Sequence, residues 1–126
     1  MPLSGFVAVG LGAVLGAWLR WWLGGALNAT LPHLPLGTLA ANLAGGYLVG
    51  VVVGALQTVD AIHPQLRLFL ITGFLGALTT FSTFSAEAVE LLQSGRYGWA
   101  FAHSAGHLFG SLALTFLGFQ TVALLR

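Results

Sequence analysis

Four long apolar stretches divide the chain, from about Leu3 to Leu27, Gly37 to Gln57, Leu66 to Gln93 and Tyr97 to Leu125. A membrane-spanning helix needs about 20 apolar residues. Each stretch therefore predicts one span, and the whole predicts an all-α membrane protein with a single four-helix transmembrane domain over residues 1–126. Between the stretches, Asn28 to Pro35 carries two prolines, a polar segment contains Asp60, His63 and Pro64, and Ser94-Gly95-Arg96 reads as a turn. Four spans put both termini on the same side.

The third stretch is unusually long and mixed in character. From Gly73 to Glu87 it reads GFLGALTTFSTFSAE, with Thr79, Thr80, Ser82, Thr83 and Ser85 at mid-depth beside Phe81 and Phe84. Unsatisfied polar groups are costly in hydrocarbon, so hydroxyls there face protein or a water-filled path. Gly73 and Gly76 precede hydroxyl residues that can hydrogen-bond their own backbone in place of the helical ladder. This pattern predicts a break in the third transmembrane helix, with function at the break.

Composition strengthens the membrane reading. Charged residues make up 6% of the chain, against roughly 25% in a soluble domain, too few to cover a surface in water. No targeting peptide is evident, because the first apolar run lacks a small-residue cleavage site and leads directly into Arg20. There is no basic patch for nucleic acid, and the absence of cysteine excludes disulfides and thiolate metal sites. Nor is there an acid–base pair, nucleophile elbow or metal constellation to suggest an enzyme.

Arginines are balanced across the predicted topology: Arg67 and Arg126 on one side, Arg20 and Arg96 on the other. Positive charge on cytoplasmic loops normally sets orientation, and here it gives no preference. Either folding context decides, or the chain inserts both ways up and pairs antiparallel.

Small and polar residues form lines at helical spacing. Gly12, Gly16 and Arg20 repeat on the first span, and Asn42, Gly46, Gly50 and Gly54 on the second. Helix packing in lipid accounts for the glycines, but not for Asn42, whose two N–H donors suit an anion. On the fourth span His103, His107, Ser111 and Thr115 make an i, i+4 line that suggests an ion track. Two histidines four apart can also hold a metal, although no carboxylate or third ligand accompanies them. His103 is expected near the interface, in contact with water. Phe81 and Phe84, three apart and interleaved with Thr80 and Thr83, present ring edges of positive potential that can meet a small anion. Glu87 follows one turn later, while Glu90, nearer the end of the span, is expected to be solvated. Arg20 either snorkels among Trp18, Trp21 and Trp22 or draws anions into a vestibule.

Along its whole length the chain resembles the Fluc (CrcB) family of fluoride channels. The resemblance is carried by Gly12-xxx-Gly16-xxx-Arg20, Gly37-Thr38-xxx-Asn42-xxx-Gly46, GALTTFSTFSAE and Gly110-Ser111. One departure is Gly76-Ala77, where the family usually has two adjacent glycines. The resemblance implies an antiparallel, dual-topology homodimer in the cell inner membrane, with a structural sodium ion at its centre. By motif, the carbonyls of Gly76 and Thr79 from each subunit would hold that ion. It further implies two fluoride paths lined by Asn42, Phe81, Phe84, Thr83, Ser111, Thr115 and His107, with Glu87 and Arg20 as further candidates. Many relatives have Ser at the position of His107. Such channels let cytoplasmic fluoride leak out passively and so reduce its toxicity.

A 126-residue subunit cannot enclose a pore, which independently places any path at a subunit interface. The rival reading is a dual-topology small multidrug exporter, similar in size and span number. Proton-coupled exchange would need a carboxylate in mid-span, typically the first. Span one has none, and Glu87 lies off-centre.

Overall fold

The computed structural model describes residues 1–126. The first two long helices are α1 (Leu3–Leu27) and α2 (Leu36–Leu56). A third pass starts with α3 (Pro64–Arg67), continues through a π-helical segment (Leu68–Leu75) and ends its first half in α4 (Gly76–Leu78). After a break come α5 (Phe81–Gln93) and, as the fourth pass, α6 (Tyr97–Leu124). The protein is all-helical and multi-pass, with four helical passes long and apolar enough to cross a membrane, the third of them Pro64–Gln93 and bent.

Local chemistry sets the ends of these elements. Pro2 and Pro35 stand at the N-caps of α1 and α2 in extended conformation, where a missing N–H costs no helical bond. Asn28 Oδ1 accepts from the Thr38 amide at 3.0 Å, tying the first loop to the start of α2. Gly95 adopts φ 75° in the turn after α5, a left-handed conformation that glycine accepts without strain.

Close backbone approach governs the packing. α2 lies most extensively against α6, and α1 against the π-helical segment. A Cβ on Gly50 would collide with the Thr115 carbonyl, and one on Gly118 with the Tyr47 carbonyl. Gly12 and Gly16 are pressed in the same way against the Phe69 and Phe74 carbonyls. These are the contacts that small-residue repeats provide in lipid. Only 20 of 126 residues are buried, and Phe6, Trp18, Phe101, Phe109 and Phe116 point outward. That inverted surface needs lipid or another chain around it. The enclosed apolar core is small: Ala41, Leu75 and Leu78, with Leu19, Leu23 and Phe74 packed on it.

The break is in the predicted segment, but two details differ from the sequence reading. Gly73 and Gly76 precede it without special backbone geometry, since Gly95 alone has positive φ. Gly73 instead lets α1 approach, its missing Cβ facing the Val9 carbonyl at 2.6 Å. The wide π-helical turns before the break were not anticipated. Their i→i+5 spacing leaves no mark on apolar periodicity.

Candidate functional site

The helix opens at Thr79 and Thr80, both extended, with φ/ψ of −84°/154° and −150°/114°. Three side chains stabilise the interruption. Thr79 Oγ1 donates back to the Leu75 carbonyl at 2.9 Å. Thr80 Oγ1 caps α5 by accepting from the Thr83 amide at 3.1 Å. Arg20 Nε donates to the freed Ala77 carbonyl at 3.0 Å, so this arginine meets the break from the α1 side. No backbone N–H or side chain donates to the carbonyls of Gly76 or Thr79.

Asn42 grips the break at two points. Its Oδ1 accepts from the Thr80 amide at 2.7 Å, and its Nδ2 donates to the Thr80 carbonyl at 3.0 Å. This pairing copies one rung of a strand ladder and fixes which end of the amide is which. The other Nδ2 proton reaches His107 Nδ1 at 3.0 Å. An amide nitrogen only donates, so His107 Nδ1 accepts and the ring proton sits on Nε2. That Nε2–H is buried and has no partner. Asn42 itself has both donors engaged. The donor that the sequence reading assigned to Asn42 is thus relayed to His107.

A second network lies one turn away. Glu87 Oε2 accepts from Thr38 Oγ1 at 2.6 Å, and Glu87 Oε1 meets His103 Nε2 at 2.9 Å. A carboxylate accepts at both oxygens, so His103 donates from Nε2 and its buried Nδ1 keeps an unpartnered lone pair. The expectation of a solvated His103 is corrected: its side chain is 0% exposed. Phe84 stacks on it, with ring centroids 5.2 Å apart and planes 10° apart, and tilts against His107 at 4.9 Å.

Glu87 also supplies the third group that no sequence spacing revealed, within 4.8 Å of ligand atoms of both histidines. The composition suits a transition metal, but the hydrogen-bond polarity opposes it. A metal on His107 Nε2 needs that proton moved to Nδ1, which faces the Asn42 donor. Turning the amide would set its donor against the Thr80 N–H.

A partly open cavity of about 700 Å³ lies between α2, the third pass and α6. Asn42, Gly76, Thr79, Thr80, Phe81, Phe84, His107 and Ser111 line it. Phe81 is 79% exposed, and its ring lies 5.3 Å from that of Phe84 at 46°. Of the other candidates, Thr115 donates to the Gly46 carbonyl at 2.8 Å, and neither it nor Thr83, Glu87 or Arg20 forms the cavity wall. Thr38, which had no assigned role in the sequence, proves to be the residue that orients Glu87.

Residues 7–119 match the family described as CrcB-like protein, Camphor Resistance (CrcB). The chain belongs to the CrcB family. Curated relatives agree over nearly full length. A protein of Nitrosospira multiformis named fluoride-specific ion channel FluC is 57% identical over 97% of this chain and 95% of its own. Proteins with the same name from Cupriavidus pinatubonensis and Pseudomonas putida are 60% and 53% identical, over 96% and 94% of both chains. CrcB relatives are thus named as channels rather than enzymes, in keeping with a CrcB chain of four apolar passes and a partly open cavity.

Proposed function

We propose that the protein is a fluoride-selective channel that lets cytoplasmic fluoride leave the cell passively, as an antiparallel dual-topology homodimer in the inner membrane. The observation that carries this reading is the buried, unpartnered Nε2–H of His107, a residue that lines the cavity. An unmet buried donor costs about 1–3 kcal/mol, and a passing small anion relieves it. Asn42 keeps the donor in place by holding the tautomer. Phe81 and Phe84 offer ring edges on the same route. The names of the relatives point to the same ion.

A second copy completes the path. Phe81 and Gly76, which line the cavity, are exposed, and the balance of Arg67 and Arg126 against Arg20 and Arg96 favours neither orientation. The break also suits a sodium ion at that seam. The carbonyls of Gly76 and Thr79 accept nothing within the subunit, and Gly76 is exposed. Free carbonyl oxygens at a break between half-helices suit a hard cation. Bound there, sodium would supply a fixed positive charge that lowers the cost of an anion nearby.

Expression in a fluoride-sensitive bacterium should restore growth in fluoride-containing medium. Continued sensitivity despite membrane-inserted, folded protein contradicts the proposal.

A further inference from the structure

Phe84 lines the cavity. The outer torsion of a phenylalanine side chain is broad, so its rotamer alone does not fix which part of the ring an anion meets. The choice matters, because the ring face carries negative potential and the edge positive. One face is already taken: His103 stacks on it, with centroids 5.2 Å apart and planes 10° apart. Phe81 and His107 lie tilted against the same ring. The stack hides one repelling face and turns what Phe84 offers toward its C–H edge.

The His103 ring is itself held. Its side chain is 0% exposed, and its Nε2 donates to Glu87 Oε1 at 2.9 Å. Thr38 Oγ1 donates to Glu87 Oε2 at 2.6 Å. A bond at each oxygen fixes the carboxylate, and a near-linear N–H bond to it limits the tilt of the imidazole. Thr38 comes from α2, Glu87 from α5 and His103 from α6, so three elements meet in this clamp. His107, the other ring beside His103, is already tied to Asn42. Phe84 has no polar atom of its own and depends on the stack.

We propose that His103, clamped by Glu87 and Thr38, is a positioning residue that sets the orientation of the Phe84 ring toward the anion. None of the three clamp residues lines the cavity, so the cavity feels them through the ring they hold. An apolar side chain of similar size would fill the same space without burying an acid and a base, which is often neutral or stabilising. The polar clamp therefore does more than pack. This rests on the fluoride reading and deepens it: residues away from the path set how readily the ion passes.

The test is the initial rate of fluoride release from liposomes, per amount of folded protein, with thermal unfolding of each variant measured beside it. His103→Gln keeps a donor for Glu87 but has no ring. It should slow release about tenfold, the equivalent of about 1.4 kcal/mol. His103→Phe keeps the ring but has no donor. Made together with Glu87→Gln, so that no buried carboxylate loses its partner, it should stay nearer the wild-type rate. Thr38→Val frees one carboxylate oxygen and should also slow release, and Thr38→Ser should restore it. The Thr38 pair decides if neither His103 variant folds. Wild-type release from H103Q, or faster release from H103Q than from the H103F/E87Q double variant, overturns this inference while leaving the channel reading intact. Equal release from T38V and wild type also overturns it. Absence of fluoride release from the folded wild-type protein overturns the channel reading, and this inference with it.

Discussion

The Asn42 amide holds the backbone of Thr80 by its N–H at 2.7 Å and its carbonyl at 3.0 Å, so a side chain of α2 shapes the break in the third pass. Asn42→Asp replaces the Nδ2 donor with an oxygen facing both the Thr80 carbonyl and His107 Nδ1. Fluoride flux should be abolished, and each orphaned group should cost about 1–3 kcal/mol of stability. Flux and thermal unfolding of the variant, measured side by side, check both effects. Full flux with unchanged stability would remove Asn42 from the break.

His107 separates donation from bulk. His107→Ser retains an O–H donor and should keep fluoride moving. His107→Leu removes the donor from the wall and leaves the second Asn42 N–H unmet, so flux should fall by about tenfold or more, as expected for loss of about 1.4 kcal/mol. Initial rates of fluoride release distinguish the two. Equal rates from both variants would assign His107 to packing.

The glycines divide by what a methyl group would meet. Gly50 and Gly118 face backbone across the α2–α6 crossing, whereas a Cβ on Gly98 or Gly106 meets nothing within 4 Å. Gly50→Ala and Gly118→Ala should each cost about 1–3 kcal/mol through overpacking. Gly98→Ala and Gly106→Ala should leave stability within about 0.5 kcal/mol. Thermal unfolding of the four variants in detergent gives the comparison.

Thr79 and Gly76 test the carbonyl site. The Thr79 hydroxyl is occupied by the Leu75 carbonyl, so Thr79→Ala should keep most sodium-dependent stabilisation. Gly76 has room within the subunit, its Cβ position lying 3.5 Å from the Ile71 carbonyl, and it faces outward. Gly76→Val should fold as a subunit yet weaken the sodium effect, read as the shift in unfolding temperature between sodium and potassium buffers. The reverse ranking would mean that side-chain oxygens hold the ion.

Much of this was legible in the residues because apolar length and hydroxyl clustering are local signals. The four passes and the interruption near Thr79 and Thr80 follow from them. The partners of Glu87 were not legible, because Thr38 and His103 come from α2 and α6 and meet it only after packing. Burial of His103 was missed for the same reason: its place six residues into α6 suggests water, and Phe84 and Glu87 cover it. The donors of Asn42 were counted correctly, but spacing cannot say which are already engaged.

Fluoride efflux from liposomes that contain the purified protein and equal fluoride and chloride tests the central claim most directly. With valinomycin carrying potassium to balance charge, fluoride should leave down its gradient while chloride stays inside, and without valinomycin fluoride release should stall. Equal release of the two anions, or release of neither, would contradict a passive fluoride-selective path.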